Sequence, residues 1–214
     1  MEESGAKVDR KTVSSAMILS HLLSDGLLAG TAVWVFSTAF GRTPFYDRLL
    51  WGFFFLTIAL AALAGVFTFA GWAVLEPLHQ SLTLLAGSLG VVAVVMATRA
   101  TVLNRPATAL QFGLSLTVGI GLFVALIWPQ LAVFAPVLSA LGILTVMLLA
   151  VLALVRRQKW AVWLVVGVLL LAFATKVQHL VLPLHPLDAY HYLVALALVS
   201  FGHALRQRDQ HPTG

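Results

Sequence analysis

Long apolar runs alternate with short polar breaks along the chain, and their spacing sets the expected shape. The runs cover residues 13–40, 49–75, 78–98, 107–128, 131–155, 160–181 and 187–205. A helix needs about 20 residues to cross roughly 30 Å of hydrocarbon, and every run reaches or approaches that length. The pattern predicts an all-α, multi-pass membrane protein: a bundle of seven transmembrane helices over 13–205, with tails at 1–12 and 206–214. The breaks carry helix-stopping residues. Gly41-Arg42-Thr43-Pro44 closes the first run, Glu76-Pro77 is expected to end the second, and Pro129 divides the fourth from the fifth. Trp51 and Phe53 to Phe55 at one end of the second run, with Phe67, Phe69 and Trp72 at the other, fit two interfacial belts. The first run is too long for a signal-peptide core and follows Glu2, Glu3 and Asp9, so it is expected to stay in the mature protein. Within it, Gly26-Leu27-Leu28-Ala29-Gly30 is a small-xxx-small pattern expected to bring a neighbouring helix close.

Composition supports the membrane assignment. The 214 residues are 60% hydrophobic and 10% charged, with a mean hydropathy of +0.97, too apolar for a soluble domain to cover its own surface. The Ala, Leu, Val and Gly bias points to a bacterial inner membrane. A net charge of +5 does not imply a nucleic-acid partner, because the basic residues sit in short loops between apolar runs. Arg42, Arg48, Arg99, Arg105, Arg156, Arg157, Lys159, Arg206 and Arg208 fall on one side of an alternating topology. Lys7, Arg10, Lys11 and Lys176 fall on the other, and nine against four places the N-terminus outside and the C-terminus in the cytoplasm. There is no cysteine, which leaves His, carboxylate, hydroxyl or water for any metal site.

Against this background the ionisable residues inside or beside the apolar runs stand out, because charge in lipid is expensive and tends to mark function. His21 and Asp25 in the first run lie one helical turn apart and are expected to pair with each other. Glu76 and His79 lie at the second turn, and Lys176 and His179 at the end of the sixth run. The stretch His185-Pro186-Leu187-Asp188-Ala189-Tyr190-His191 opens the seventh. Alternate helix ends share a membrane face, so these groups are expected on one side, in a pocket between helices one, two, three, six and seven. Only His203 and His211 fall elsewhere. His185 precedes a proline and should approach from a loop. On an ideal helix it would point about 120° away from His191. Asp188 can share a face with His191 or simply cap the seventh helix.

Several chemistries would use such a set. A catalytic zinc takes about three protein ligands and a nearby carboxylate. His21, His79, His185 and His191 supply imidazoles for it, and Asp25 and Asp188 are candidate catalytic acids or bases. Haem held between facing histidines, or a quinone site, is a redox alternative. A third alternative is a membrane protein that binds or senses without catalysis.

Taken together, the helix count, the outside N-terminus and the HxxDxYH segment at 185–191 resemble small bacterial membrane proteins at the fringe of the alkaline ceramidase and adiponectin-receptor superfamily. That resemblance implies a zinc-dependent hydrolase acting on a lipid amide or ester, with membrane lipid as partner and substrate. It also implies three zinc-binding histidines, one from helix two and two from a seventh-helix HxxxH. Here the surroundings of His191 match the second of that pair, but Leu187 stands where the first would be. Helix two, around Gly65 to Gly71, has no histidine. On this resemblance either His21, His79 or His185 substitutes, or this member has lost the metal.

Overall fold

The computed structural model describes residues 10–39, 41, 43–177 and 183–210, and among them all regular structure is helical. The elements are α1 (Arg10–Ala39), α2 (Phe45–Phe69), α3 (Glu76–Leu85), α4 (Val91–Leu103), α5 (Ala109–Ile127), α6 (Pro129–Ala132), α7 (Ala135–Val155), α8 (Ala161–Ala174) and α9 (Pro186–Gln210). Among the described residues five stretches are long and apolar enough to cross a membrane: Met17–Ala39, Phe45–Phe69, Ala73–Leu103, Ala109–Ile127 and Ala135–Val155. Ala161–Ala174 is apolar but shorter. Large apolar side chains stand exposed on the outside of α5 and α7, among them Leu110, Leu114, Leu144 and Leu148. An apolar exterior of this extent is compatible with a membrane protein.

Helix ends follow local chemistry. Residue 71 is a glycine at φ 103°, a conformation that side chains disfavour, and it stops α2 at Phe69. The Trp72 amide donates to the Phe67 carbonyl (3.1 Å) and the Gly71 amide to the Thr68 carbonyl (3.1 Å), closing the helix with a double C-terminal cap. The expected stop at Glu76-Pro77 is therefore corrected: these residues start α3, with proline in the first turn where its missing N–H is not needed. A π-turn over Ala86–Gly90 joins α3 to α4 within a single span. Thr108 caps α5 reciprocally with Gln111.

Packing relies on small residues, since lipid gives apolar surfaces little reason to leave it. α9 lies between α1 and α8. A side chain at Gly202 would collide with Val35 of α1, and one at Gly167 of α8 would stand 3.2 Å from the Ala197 carbonyl. Trp51, Phe54 and Phe55 of α2 pack around Phe201 of α9, with ring centroids 5.8 Å (Phe54) and 6.1 Å (Trp51) from it. The pattern at Gly26 and Gly30 does not serve this purpose. Both are exposed, and no atom of another helix lies within 4 Å of where their Cβ atoms would be.

One end of the bundle gathers basic and loop-pinning groups. The Asp47 carboxylate accepts the Ala107 amide (2.8 Å), Arg208 donates to Asn104 (2.9 Å), and Arg206 donates to Thr38 (2.9 Å) while lying over the Trp34 ring. The end of α1, the start of α2, the end of α4 and the end of α9 thus meet at one face, and His21, His79, His185 and His191 lie toward the other.

Candidate functional site

Ser20, His21, Ser24 and Asp25 form two adjacent rows on α1, facing the first turns of α9. Across the interface Asp188 is almost wholly buried, at 1% exposure. Its carboxylate accepts from Ser20 Oγ (2.5 Å), His21 Nδ1 (2.8 Å) and Ser24 Oγ (2.7 Å). An ionised carboxylate only accepts, so His21 presents Nδ1–H to it and keeps the lone pair on Nε2.

His191, one turn further along α9, reaches back to α1. Its Nδ1 lies 3.1 Å from Ser24 Oγ and 3.4 Å from Asp25 Oδ1. Ser24 has one proton, and its shortest contact is to Asp188, so Ser24 accepts from His191 and donates to Asp188. Ser24 and Asp25 crowd the same nitrogen of His191. A serine nucleophile relay needs the hydroxyl and the carboxylate on opposite ring nitrogens, and this arrangement is not one.

Asp25 is the outlier. It is buried at 1% exposure, and neither oxygen accepts a hydrogen bond from any described residue. Its carboxylate lies flat against Gly65 of α2, where an added Cβ would sit 2.7 Å from Oδ2. Most buried polar atoms have a partner, so an unbonded carboxylate marks a position awaiting one. His21, His79 and Asp188 all lie within electrostatic reach of it. His79, on α3, donates Nδ1–H to the Ala61 carbonyl of α2 (2.9 Å), one turn from Gly65, which leaves its Nε2 lone pair open.

His185 lies outside the helix, as its proline neighbour implies. It caps α9: its carbonyl accepts the Ala189 amide (3.1 Å) and its Nδ1 accepts the Leu187 amide (3.3 Å). Its ring meets His21 edge-on, with centroids 4.6 Å apart, and His21 packs on Phe69 at 4.9 Å.

Thus the structure brings together His21, Asp25, His79, His185, Asp188 and His191 from α1, α3 and α9, against a floor from α2. The expected His21–Asp25 pair does not form. Each aspartate instead faces the histidine of the other helix, Asp188 with His21 and Asp25 with His191, so two His–Asp couples cross between α1 and α9. The physical reason is helix rotation: the seam that places Gly202 against Val35 turns both polar rows toward each other. Asp188 does not act as a helix cap, because its oxygens are taken by α1. Glu76 is bonded by Gln80 (2.8 Å) at the surface, Lys176 is exposed, and His203 meets Trp163 of α8 edge-on, far from the cluster. His179 and His211 lie outside the described residues. Sequence reasoning passed over Ser20, Ser24 and Gly65. The repeat of a hydroxyl beside an ionisable residue at 20–21 and 24–25 was the available signal for the serines.

One metal-competent group emerges among the described residues: His21, His185 and Asp188 each offer one ligand atom, all within 4.8 Å of one another. Two imidazoles and a carboxylate are a donor set that catalytic zinc uses with one position left open. For one zinc to take both His21 and Asp188, the His21 Nδ1–H bond to Asp188 would have to be given up, and the three ligand atoms would have to settle about 3–3.5 Å apart, as tetrahedral zinc bond lengths require. Ligation through His185 Nε2 would also exchange the Nδ1 cap bond for the Nδ1–H tautomer.

Apolar helices of membrane-spanning length and a buried histidine–carboxylate cluster at one end of the bundle, among the described residues, are compatible with a helical membrane protein. The chain belongs to a family of unknown function, DUF6962, whose model matches residues 20–210 and so spans every residue of the cluster. No curated protein and no solved structure matches it.

Proposed function

We propose that the protein is a zinc-dependent hydrolase of the bacterial inner membrane, acting on a lipid amide or ester. The observation that carries the reading is the convergence of His21, His185 and Asp188 on one point, with Asp25 and its unbonded oxygens buried nearby. The ceramidase-like resemblance of the 185–191 segment favours the same chemistry. In this reading the bundle crosses the membrane seven times, with α8 and α9 as the sixth and seventh crossings. The positive-inside count puts the cluster at the outer face, opposite the Arg206 and Arg208 end.

The ligands would be His21, His185 and Asp188. Bound zinc would supply Lewis-acid activation of water and of the substrate carbonyl. Ser20 and Ser24 hold Asp188 in place as outer-sphere partners, and such partners fix ligand orientation. Asp25, unbonded and close to His191, would take the proton from the attacking water. His79, within electrostatic reach of Asp25, would stabilise its charge and face the substrate from α3.

Metal content of the purified protein and turnover of a fluorogenic N-acyl amide in vesicles test this. Wild type should carry about one zinc, lost in His21→Ala and His185→Ala and retained in His79→Ala. Asp25→Asn should keep the metal and lose turnover. A protein with neither zinc nor turnover refutes the reading and leaves a binding or sensing role; a Soret band in its visible spectrum would point to haem instead.

A further inference from the structure

A groove of about 500 Å³ runs between α3 and the start of α7, at the same end of the bundle as the cluster. Ligand sites fall in the range of about 300–1,000 Å³, so the groove is of binding size. Glu76, His79 and Gln80 form its polar end, and Leu84, Gly87 and Pro136 line its apolar length. Both walls belong to membrane-length helices, Ala73–Leu103 and Ala135–Val155, so the medium that fills an open apolar channel here is lipid chain.

Charge then selects among lipids. Glu76 alone among the lining residues carries a full charge, and Gln80 bonds only its Oε1. An anionic head would be repelled there, whereas an ammonium would find a carboxylate with lone pairs to spare. The groove is also continuous with the buried cluster through one residue. His79 lines the groove, is held by the Ala61 carbonyl, and lies within electrostatic reach of Asp25 and His191. Gly87 faces Ser139 across the groove, and a Cβ at Gly87 would lie 3.7 Å from Ser139 Oγ, in ordinary van der Waals contact.

We propose that this groove binds a lipid with an amine-bearing head, its alkyl chain along Gly87 and Pro136 and its head between Glu76 and His79. The site would feed the hydrolytic centre, and in that respect it rests on the reading above, but binding does not require the metal.

Photolabelling tests it. The full-length protein in nanodiscs is irradiated with a long-chain alkylamine carrying a diazirine, and labelled peptides are mapped by mass spectrometry. A fatty acid probe of equal chain length serves as the anionic comparison. Labels should concentrate in 76–87 and 135–139, be displaced by unlabelled alkylamine, and favour the amine over the acid. Gly87→Leu should abolish labelling of these segments. Glu76→Gln, a half-exposed change that does not touch the core, should reduce the amine preference by about two- to fivefold, the range of an exposed ion pair. Labels spread over the outer faces of α5 and α7, or equal labelling by amine and acid in wild type, would overturn the proposal. Zinc content separates the two ideas. Zinc without groove labelling sinks only the groove, and groove labelling without zinc sinks only the hydrolase.

Discussion

Gly65→Ala tests the placement of Asp25 against α2. A Cβ at this position would meet Oδ2 at 2.7 Å, Cγ at 3.0 Å and Oδ1 at 3.1 Å, so the whole carboxylate has to retreat, not just its tip. Behind it stands His191, 3.4 Å away, which limits the retreat. Overpacking of this kind costs about 1–3 kcal/mol. Replacing glycine by alanine within a helix also returns roughly 0.8–1.0 kcal/mol of propensity. The net expectation is a destabilisation of roughly 0–2 kcal/mol in the wild-type background. In an Asp25→Ala background the obstacle is gone, and the same substitution should stabilise by roughly 0.8–1.0 kcal/mol. Reversible unfolding in mixed micelles with added SDS, followed by tryptophan fluorescence, gives all four corners of the cycle. The coupling between the two sites should be about 1–3 kcal/mol. If the effects of the two substitutions add within about 0.3–0.5 kcal/mol, the carboxylate does not rest on Gly65 and the account of the site is wrong.

Asp188→Ala strands three buried or half-buried donors at once, Ser20, His21 and Ser24, and should lower stability by about 3–5 kcal/mol, as breaking a buried pair does. Asp188→Asn keeps one acceptor oxygen and should cost less, as read by the same unfolding assay. At the opposite end, Asp47→Ala removes the acceptor for the buried Ala107 amide and should cost about 1–3 kcal/mol, with zinc content unchanged. If Asp47→Ala depletes zinc, the two ends of the bundle are coupled and the metal reading loses its local basis.

The placement of the polar groups was legible in the sequence; their pairing was not. Antiparallel helices joined by short turns bring residues near 21, 79 and 188 to one end whatever the details of packing. Which histidine meets which aspartate depends on how α1 and α9 are rotated, and that is set by Gly202 against Val35 and by Phe201 among Trp51 and Phe54. Spacing along one chain favours the i to i+4 neighbour, so it pointed to His21 with Asp25. The end of α2 was misplaced because residues 70–75 remain apolar, and hydropathy does not register the backbone turn at Gly71. The π-turn at Ala86–Gly90 left no hydropathic trace either, since it interrupts hydrogen bonding and not apolarity.

The crossed couples also set an order of assembly. Asp188 and His191 follow their α1 partners by more than 160 positions, so on the proposed membrane reading α1 would be inserted long before either couple can close. An aspartate in mid-helix makes insertion less favourable by about 2.5–3.5 kcal/mol, and that penalty stands until the last helix arrives. In that interval α2 is the neighbour available to α1, with Gly65 against the Asp25 carboxylate. Arrival of α9 supplies the counterparts for both ionisable residues in a single step, so the site and the completed fold come into being together.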